Sequence, residues 1–168
     1  MYTLSIIKNL YQALVRSILE TNSLIWDPIT KKQILTIEKI QKKFLKYLYF
    51  KDTHTYPNEI DYSLLLNKYK LKTLKERRTQ SALIETYKIF NNRSESNLLS
   101  RFKLNTNLGA TRSQNLFYIY NPRVNVCGNA PIFRLSEIYN KNAQNIDLSE
   151  PFSYFIKNIK NLQLKLYF

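Results

Sequence analysis

Residues 30–48 read TKKQILTIEKIQKKFLKYL, and the reading of this stretch decides the fold. Thr30 is followed three positions on by Gln33. That is the spacing of a capping box, in which a hydroxyl satisfies a free backbone N–H and the Gln side chain reaches back. Ile34, Ile37, Ile40, Phe44, Tyr47 and Leu48 then recur at helical spacing and predict one apolar face. Lys39, Lys42, Lys43 and Lys46 follow the same rule, and at about 100° per residue they fall nearly opposite that face. A solvated helix face normally mixes signs. Residues 31–46 instead hold six Lys and one Glu, a net charge of +5, and Lys31 and Lys32 carry the basic character to the helix start.

Upstream, TLSIIKNLYQALVRSILE (residues 3–20) places Leu4, Ile7, Tyr11, Leu14 and Ile18 on a second apolar stripe. This helix is expected to run on toward Trp26, the single tryptophan, and to close at Pro28, because the residue before a proline avoids helical geometry. Trp26 is expected in the core where the first helix turns into the basic one; stacking on a nucleobase is the alternative. Downstream, residues 51–61 have no period and contain Pro57, which predicts a loop. A short helix is expected over 62–69. Thr73 and Glu76 form a second capping box, opening a helix with Leu83, Ile84, Tyr87 and Phe90 inward and Asn91-Asn92 as its stop. Residues 68–78 hold six Lys or Arg and one Glu, again a net of +5. Beyond the polar connector NNRSESN, alternation in LFYIY and VNV predicts one short hairpin. Helices resume at 132–140 and at 152–162, the latter with Phe152, Phe155, Ile156 and Ile159 on one side.

The chain has 168 residues, of which 44% are hydrophobic, enough for one domain or two small ones. Two glycines and five prolines argue against a turn-rich sandwich or barrel. The single cysteine, Cys127, allows no internal disulfide and fits a reducing compartment. No apolar run approaches a membrane span, and no secretory signal is evident, so the expected location is intracellular, in nucleus or cytoplasm, with no membrane partner. Lys and Arg number 26 against 12 Asp and Glu, a net charge of +14. The usual partner of such a chain is a polyanion, and nucleic acid is the commonest. AT-rich codon usage is a competing source of the lysines. One His54 and one Cys127 make no zinc site, two glycines make no phosphate loop, and Asp27, Asp52, Asp61 and Asp147 are scattered. No metal, no cofactor and no catalytic residue is expected. Asp52 and His54 are read as an incidental loop pair.

Residues 10–46, LYQALVRSILETNSLIWDPITKKQILTIEKIQKKFLK, resemble a segment just past the polymerase palm of non-LTR (LINE-like) retrotransposon reverse transcriptases. The family pattern L-Y-x-x-L-V-R-P-I-L-E-Y is met by Leu10, Tyr11, Leu14, Val15, Arg16, Ile18, Leu19 and Glu20, with Ser17 for Pro and Thr21 for Tyr. Its V-W-N-P is met by Trp26 and Pro28, and its I-E-x-V-Q-R-R-F by Ile37, Glu38, Gln41 and Phe44 with Lys42-Lys43 as the basic pair. Residues 69–92 look like the family's L-x-x-L-x-x-R-R-x-x-x-x-L-I-x-x-Y-K-I-x-N-G, which brings in Arg77 and Arg78. Thr111-Arg112 looks like a Thr-Arg that follows a linker there. The chain has Ile138-Tyr139-Asn140 where the family has Leu-Trp-Asn, and it lacks the family's Leu-Pro.

The expected fold is therefore mainly α, with a helical thumb-like lobe over 1–92 and a small mixed lobe with one short hairpin and two helices over 93–168. The resemblance implies a thumb and connector piece, without fingers, palm or paired catalytic aspartates, that catalyses nothing alone. It implies RNA or an RNA–DNA hybrid, held by its phosphate backbone, as one partner, and the parent's palm and fingers as the other. Expected nucleic-acid contacts are Lys31, Lys32, Lys39, Lys42, Lys43, Lys46, Arg77, Arg78 and Arg112. The alternatives are a transposon-derived relic, either acting as a small interaction protein or without function, and a stand-alone basic RNA-binding protein.

Overall fold

The structure, a computed structural model, describes residues 4–28, 30–56, 60–94, 97–106, 115–120, 128 and 130–161. It is mainly α-helical, and no sheet occurs among the described residues. In order come α1 (Leu4–Leu10), a π-helical stretch (Tyr11–Arg16), α2 (Ser17–Glu20), α3 (Ser23–Trp26), α4 (Lys31–Thr53), α5 (Tyr62–Tyr69) and α6 (Leu74–Phe90). A 3-10 turn (Asn97–Arg101), α7 (Pro131–Asn142), a second 3-10 turn (Ala143–Asn145) and α8 (Phe152–Asn161) follow. Two compact units, Met1–Arg78 and Thr79–Tyr167, divide the chain, so the change-over lies inside α6, upstream of the boundary after Asn92 expected from composition. Among the described residues no helix is long and apolar enough to cross a membrane.

In the first unit the chain runs helically from Leu4 to Glu20, but not in one register. The Ser17 N–H bonds to the Gln12 carbonyl five residues back, the signature of a π turn. A π turn takes more residues than an α turn, so each side chain after Tyr11 advances by a smaller angle. That rotation corrects the expected stripe. Tyr11 is buried, whereas Leu14 is 63% and Ile18 73% exposed, in line with exposed Leu10. The helix then breaks at Thr21-Asn22, where Asn22 takes a left-handed φ of 52°, and α3 carries the chain to Asp27 and Pro28.

The capping box of α4 is as expected: the Gln33 N–H donates to the Thr30 hydroxyl at 3.3 Å, and the Thr30 N–H donates to Gln33 Oε1 at 3.4 Å. Its buried face is turned from the expected one. Gln41, Leu45 and Leu48 are buried, while Ile40 and Tyr47 are exposed. The helix also continues through Lys51–Thr53, into the expected loop, and stops at His54 with a left-handed φ of 55°. An apolar cluster forms beneath it from Leu45, Leu65, Leu66 and Leu71, with Phe44, Tyr49, Ile60, Tyr62 and Tyr69 around them.

Gln41 holds this unit together by polar contacts. Its Oε1 accepts from Tyr11 Oη at 3.2 Å, and its Nε2 donates to Tyr62 Oη at 3.0 Å and to the Lys72 carbonyl at 2.9 Å. Tyr62 in turn donates to Glu38 Oε2 at 2.7 Å, and Glu38 Oε1 accepts from the Lys75 N–H at 2.9 Å. Tyr11 also stacks face to face on Phe44, with centroids 3.8 Å apart and planes 6° from parallel. The second capping box is present too: the Glu76 N–H donates to the Thr73 hydroxyl and the Thr73 N–H to Glu76 Oε2, both at 3.1 Å.

The second unit packs Leu83, Tyr87, Phe117, Tyr139, Ile146, Leu148, Phe155 and Ile159 into one core. The α6 stop falls at Asn92, with φ 54°, where the next N–H, of Arg93, returns to the Lys88 carbonyl. LFYIY does not enter a described hairpin. It makes one isolated antiparallel bridge, Phe117 to Leu104, and the expected VNV partner lies outside the described residues. The reason is packing: the Phe117 ring is buried in the core, and Asn140 grips its backbone at both N–H (3.1 Å) and carbonyl (2.8 Å).

Burial pushes the phenols of Tyr11 and Tyr139, one in each unit, from 10.0 up to about 12. A folded pKa above the unfolded value means that each contributes stability fully present below pH 10 and lost as pH rises toward 12. Urea melts across that window should show falling midpoints together with rising tyrosinate absorbance. Constant midpoints would contradict the burial of these rings.

Candidate nucleic-acid interface

The basic face of α4 is present and exposed. Lys31, Lys32, Lys39, Lys42 and Lys43 are exposed and Lys46 is half-exposed. Lys32, Lys39, Lys43 and Lys46 share one arc of the helix, with Lys31 and Lys42 on its flank. From Lys31 to Lys46 the face extends about 22 Å, or roughly six phosphate spacings along a strand. Among the described residues none of these six makes an ion pair; the pairs formed are Arg16–Glu20, Lys68–Asp52, Arg77–Glu20, Arg78–Asp27, Lys88–Glu85 and Lys141–Glu137. Glu38, the acid within residues 31–46, is occupied by Tyr62 and the Lys75 N–H. The spacing Glu38, Gln41, Leu45 puts it on the buried seam, a signal present in the sequence but hidden by its charge. Lys42 lies close enough to Asp61 to help hold that carboxyl below its ordinary range, though the Ser63 hydrogen bond does most of this.

Arg77 and Arg78 lie elsewhere. Arg77 grips Glu20 with both Nε and Nη2, the latter at 2.8 Å, and this bond raises its pKa. Arg78 is buried; its Nε donates to Asp27 at 2.6 Å, while Nη1 and Nη2 have no hydrogen-bond partner among the described residues. Both fasten the segment 20–27 to the start of α6; the Arg78 side chain is buried, whereas Arg77 remains 32% exposed beside Glu20. Arg112 lies outside the described residues. Desolvation by burial pulls Lys75 below the ordinary lysine range, and the Arg78 and Lys31 charges add to the shift.

Trp26 is 39% exposed, which corrects its expected place in the core. Its Nε1 donates to the Thr21 carbonyl at 2.6 Å, and its ring centroid lies 5.9 Å from the Arg78 guanidinium carbon. The ring thus covers a buried cation at the corner instead of filling an apolar space. It also lines a surface pocket of about 470 Å³ with Asp27, Pro28, Lys32, Gln33, Thr36 and Ile37. Trp26→Ala should therefore cost about 1–2 kcal/mol in a denaturant melt, below the price of truncating a core aromatic. A loss of about 4 kcal/mol, the core value, would contradict this placement.

Asp52 and His54 do not form a dyad. Asp52 bonds Lys68 at 2.7 Å and Tyr69 at 3.1 Å, and Lys68 holds its carboxyl below the usual carboxylate range. His54 is the left-handed cap of α4. Among the described residues no three His, Cys, Asp or Glu side chains converge on a metal-sized site. What α4 offers chemically is a row of positive charge able to neutralise phosphates, a contact that carries no sequence information by itself. No family model, no curated protein and no solved structure matches the chain.

Proposed function

We propose that the chain grips nucleic acid by its phosphates, as the thumb and connector part that follows the palm in a non-LTR retrotransposon reverse transcriptase. The observation that carries the phosphate-binding reading is the lysine face of α4: six cations with no ion pair among the described residues, and the helix's own Glu38 engaged by Tyr62 and the Lys75 N–H. Such a face seeks a polyanion, and RNA or an RNA–DNA hybrid offers regularly spaced charge. The motif matches at residues 10–46 and 69–92 supply the reverse-transcriptase part of the reading. In this role the piece positions a template–primer and catalyses nothing by itself; primed RNA, deoxynucleotides and Mg²⁺ should give no incorporation above a blank.

The exposed ridge of Leu10, Leu14 and Ile18 supports the same reading, because the parent's palm and fingers would cover such a face. It equally favours a second reading, a transposon-derived interaction protein that uses the ridge for another partner. Titration of the full chain against a blunt hybrid at several salt concentrations separates the two. The first reading expects sequence-tolerant binding that weakens steeply, by about 0.9 log units per phosphate contact for each tenfold rise in salt. Absence of binding at low salt would overturn it and leave the ridge as the functional surface.

A further inference from the structure

We infer that the last turn of α4 and the loop after it form a stacking platform for unpaired nucleobases, built from Phe50 and Tyr56 with Tyr47 beside them. The inference rests on the phosphate-binding reading of α4 and adds a second kind of contact to it. Phe50 is 39% and Tyr56 63% exposed, although Leu48, two residues before Phe50 in the same helix, is fully buried. The two rings lie 6.5 Å apart and are tilted by 55°, so they are not stacked on one another. The steps from Lys39 to Lys43, Lys46 and Phe50 are four, three and four residues, which keeps all four on one arc of the helix. A strand laid along the lysines therefore reaches Phe50 about 17 Å beyond Lys39.

Charge explains why the face changes character there. The last turn of a helix carries the negative end of its dipole, a poor place for another phosphate but indifferent to an uncharged base. Lys46 joins the two parts: its Nζ lies 6.0 Å from the Tyr56 ring centroid, so a phosphate held by Lys46 brings its own base toward the rings. Lys51 stands 5.7 Å from the Tyr47 ring in the same way. Aromatic faces interleaved with cations are what single-stranded nucleic acid recognises, because every base has a π face. An acidic peptide would answer the lysines but would have no use for the rings.

The test compares a blunt RNA–DNA hybrid of about twelve base pairs with the same hybrid bearing about four unpaired adenines, a length suited to a small stacking site. The full chain should bind the extended form at least about fivefold tighter, and 2-aminopurine placed in the extension should be quenched on binding. The double variant Phe50→Leu, Tyr56→Leu should lose that gain and the quenching while binding the blunt hybrid as before. Phe50→Trp, which enlarges the ring, should increase the gain and serves if the double variant does not fold. Equal binding of both hybrids by the wild-type chain, or an undiminished gain in the double variant, would overturn the platform and leave the lysine reading intact. Equal weakening of polyglutamate by the double variant would overturn it in favour of an acidic chain. Replacing Lys39, Lys42, Lys43 and Lys46 by Gln should weaken both hybrids; if it weakens neither, the phosphate reading fails separately.

Discussion

Gln41→Ala should destabilise the first unit by about 3–5 kcal/mol, one of the largest losses available to a single substitution in this chain. Gln41 is fully buried, and its amide serves Tyr11, Tyr62 and the Lys72 carbonyl at once. Truncation removes the hydrogen bonds to the Tyr11 and Tyr62 hydroxyls and to the Lys72 carbonyl and opens a void beside α4. An unsatisfied buried polar group costs about 1–3 kcal/mol, before the cavity is counted. Leu35→Ala, on the exposed side of the same helix, should cost less than about 0.5 kcal/mol. Urea melts of the two variants against wild type decide the matter. Similar small losses would mean that the α4 seam does not run through Gln41.

Replacing Lys39, Lys42, Lys43 and Lys46 together by Gln should weaken hybrid binding by about 10²- to 10³-fold at 0.1 M salt, because up to four counterion-releasing contacts disappear. Gln keeps helix propensity close to that of Lys, so α4 should persist in the circular dichroism spectrum. An affinity within about threefold of wild type would show that these lysines meet only water, the outcome usual for an isolated solvated charge.

Local signals in the sequence located the helices well. Both capping boxes, at Thr30 and Thr73, and the Asn92 stop depend on neighbouring residues alone, and the bounds of α5 follow from such signals too. Phase was harder. Nothing in LYQALVRS announces a π turn, yet that turn moves Leu14 and Ile18 from the core to the surface. In α4 the seam runs through Gln41, whose polarity hides its burial; only the distant Tyr11, Tyr62 and Lys72 make it comfortable there. Arg77 and Arg78 show the same limit for the site. Their charge was plain, but their partners Glu20 and Asp27 lie 57 and 51 residues away in sequence, so an inward role could not be distinguished from an outward one. The exposure of the α4 lysines was legible because the period of the helix itself sets it.

The salt dependence of hybrid binding by two charge-matched quadruple variants tests the central claim most directly. One replaces Lys39, Lys42, Lys43 and Lys46 by Gln; the other replaces Lys103, Lys141, Lys157 and Lys160, exposed lysines of the second unit. The α4 variant should flatten the log–log salt slope by about 2 to 4 units, and the second variant by less than about 1. Equal flattening by both would show that net charge alone holds the nucleic acid, and α4 would then be no interface.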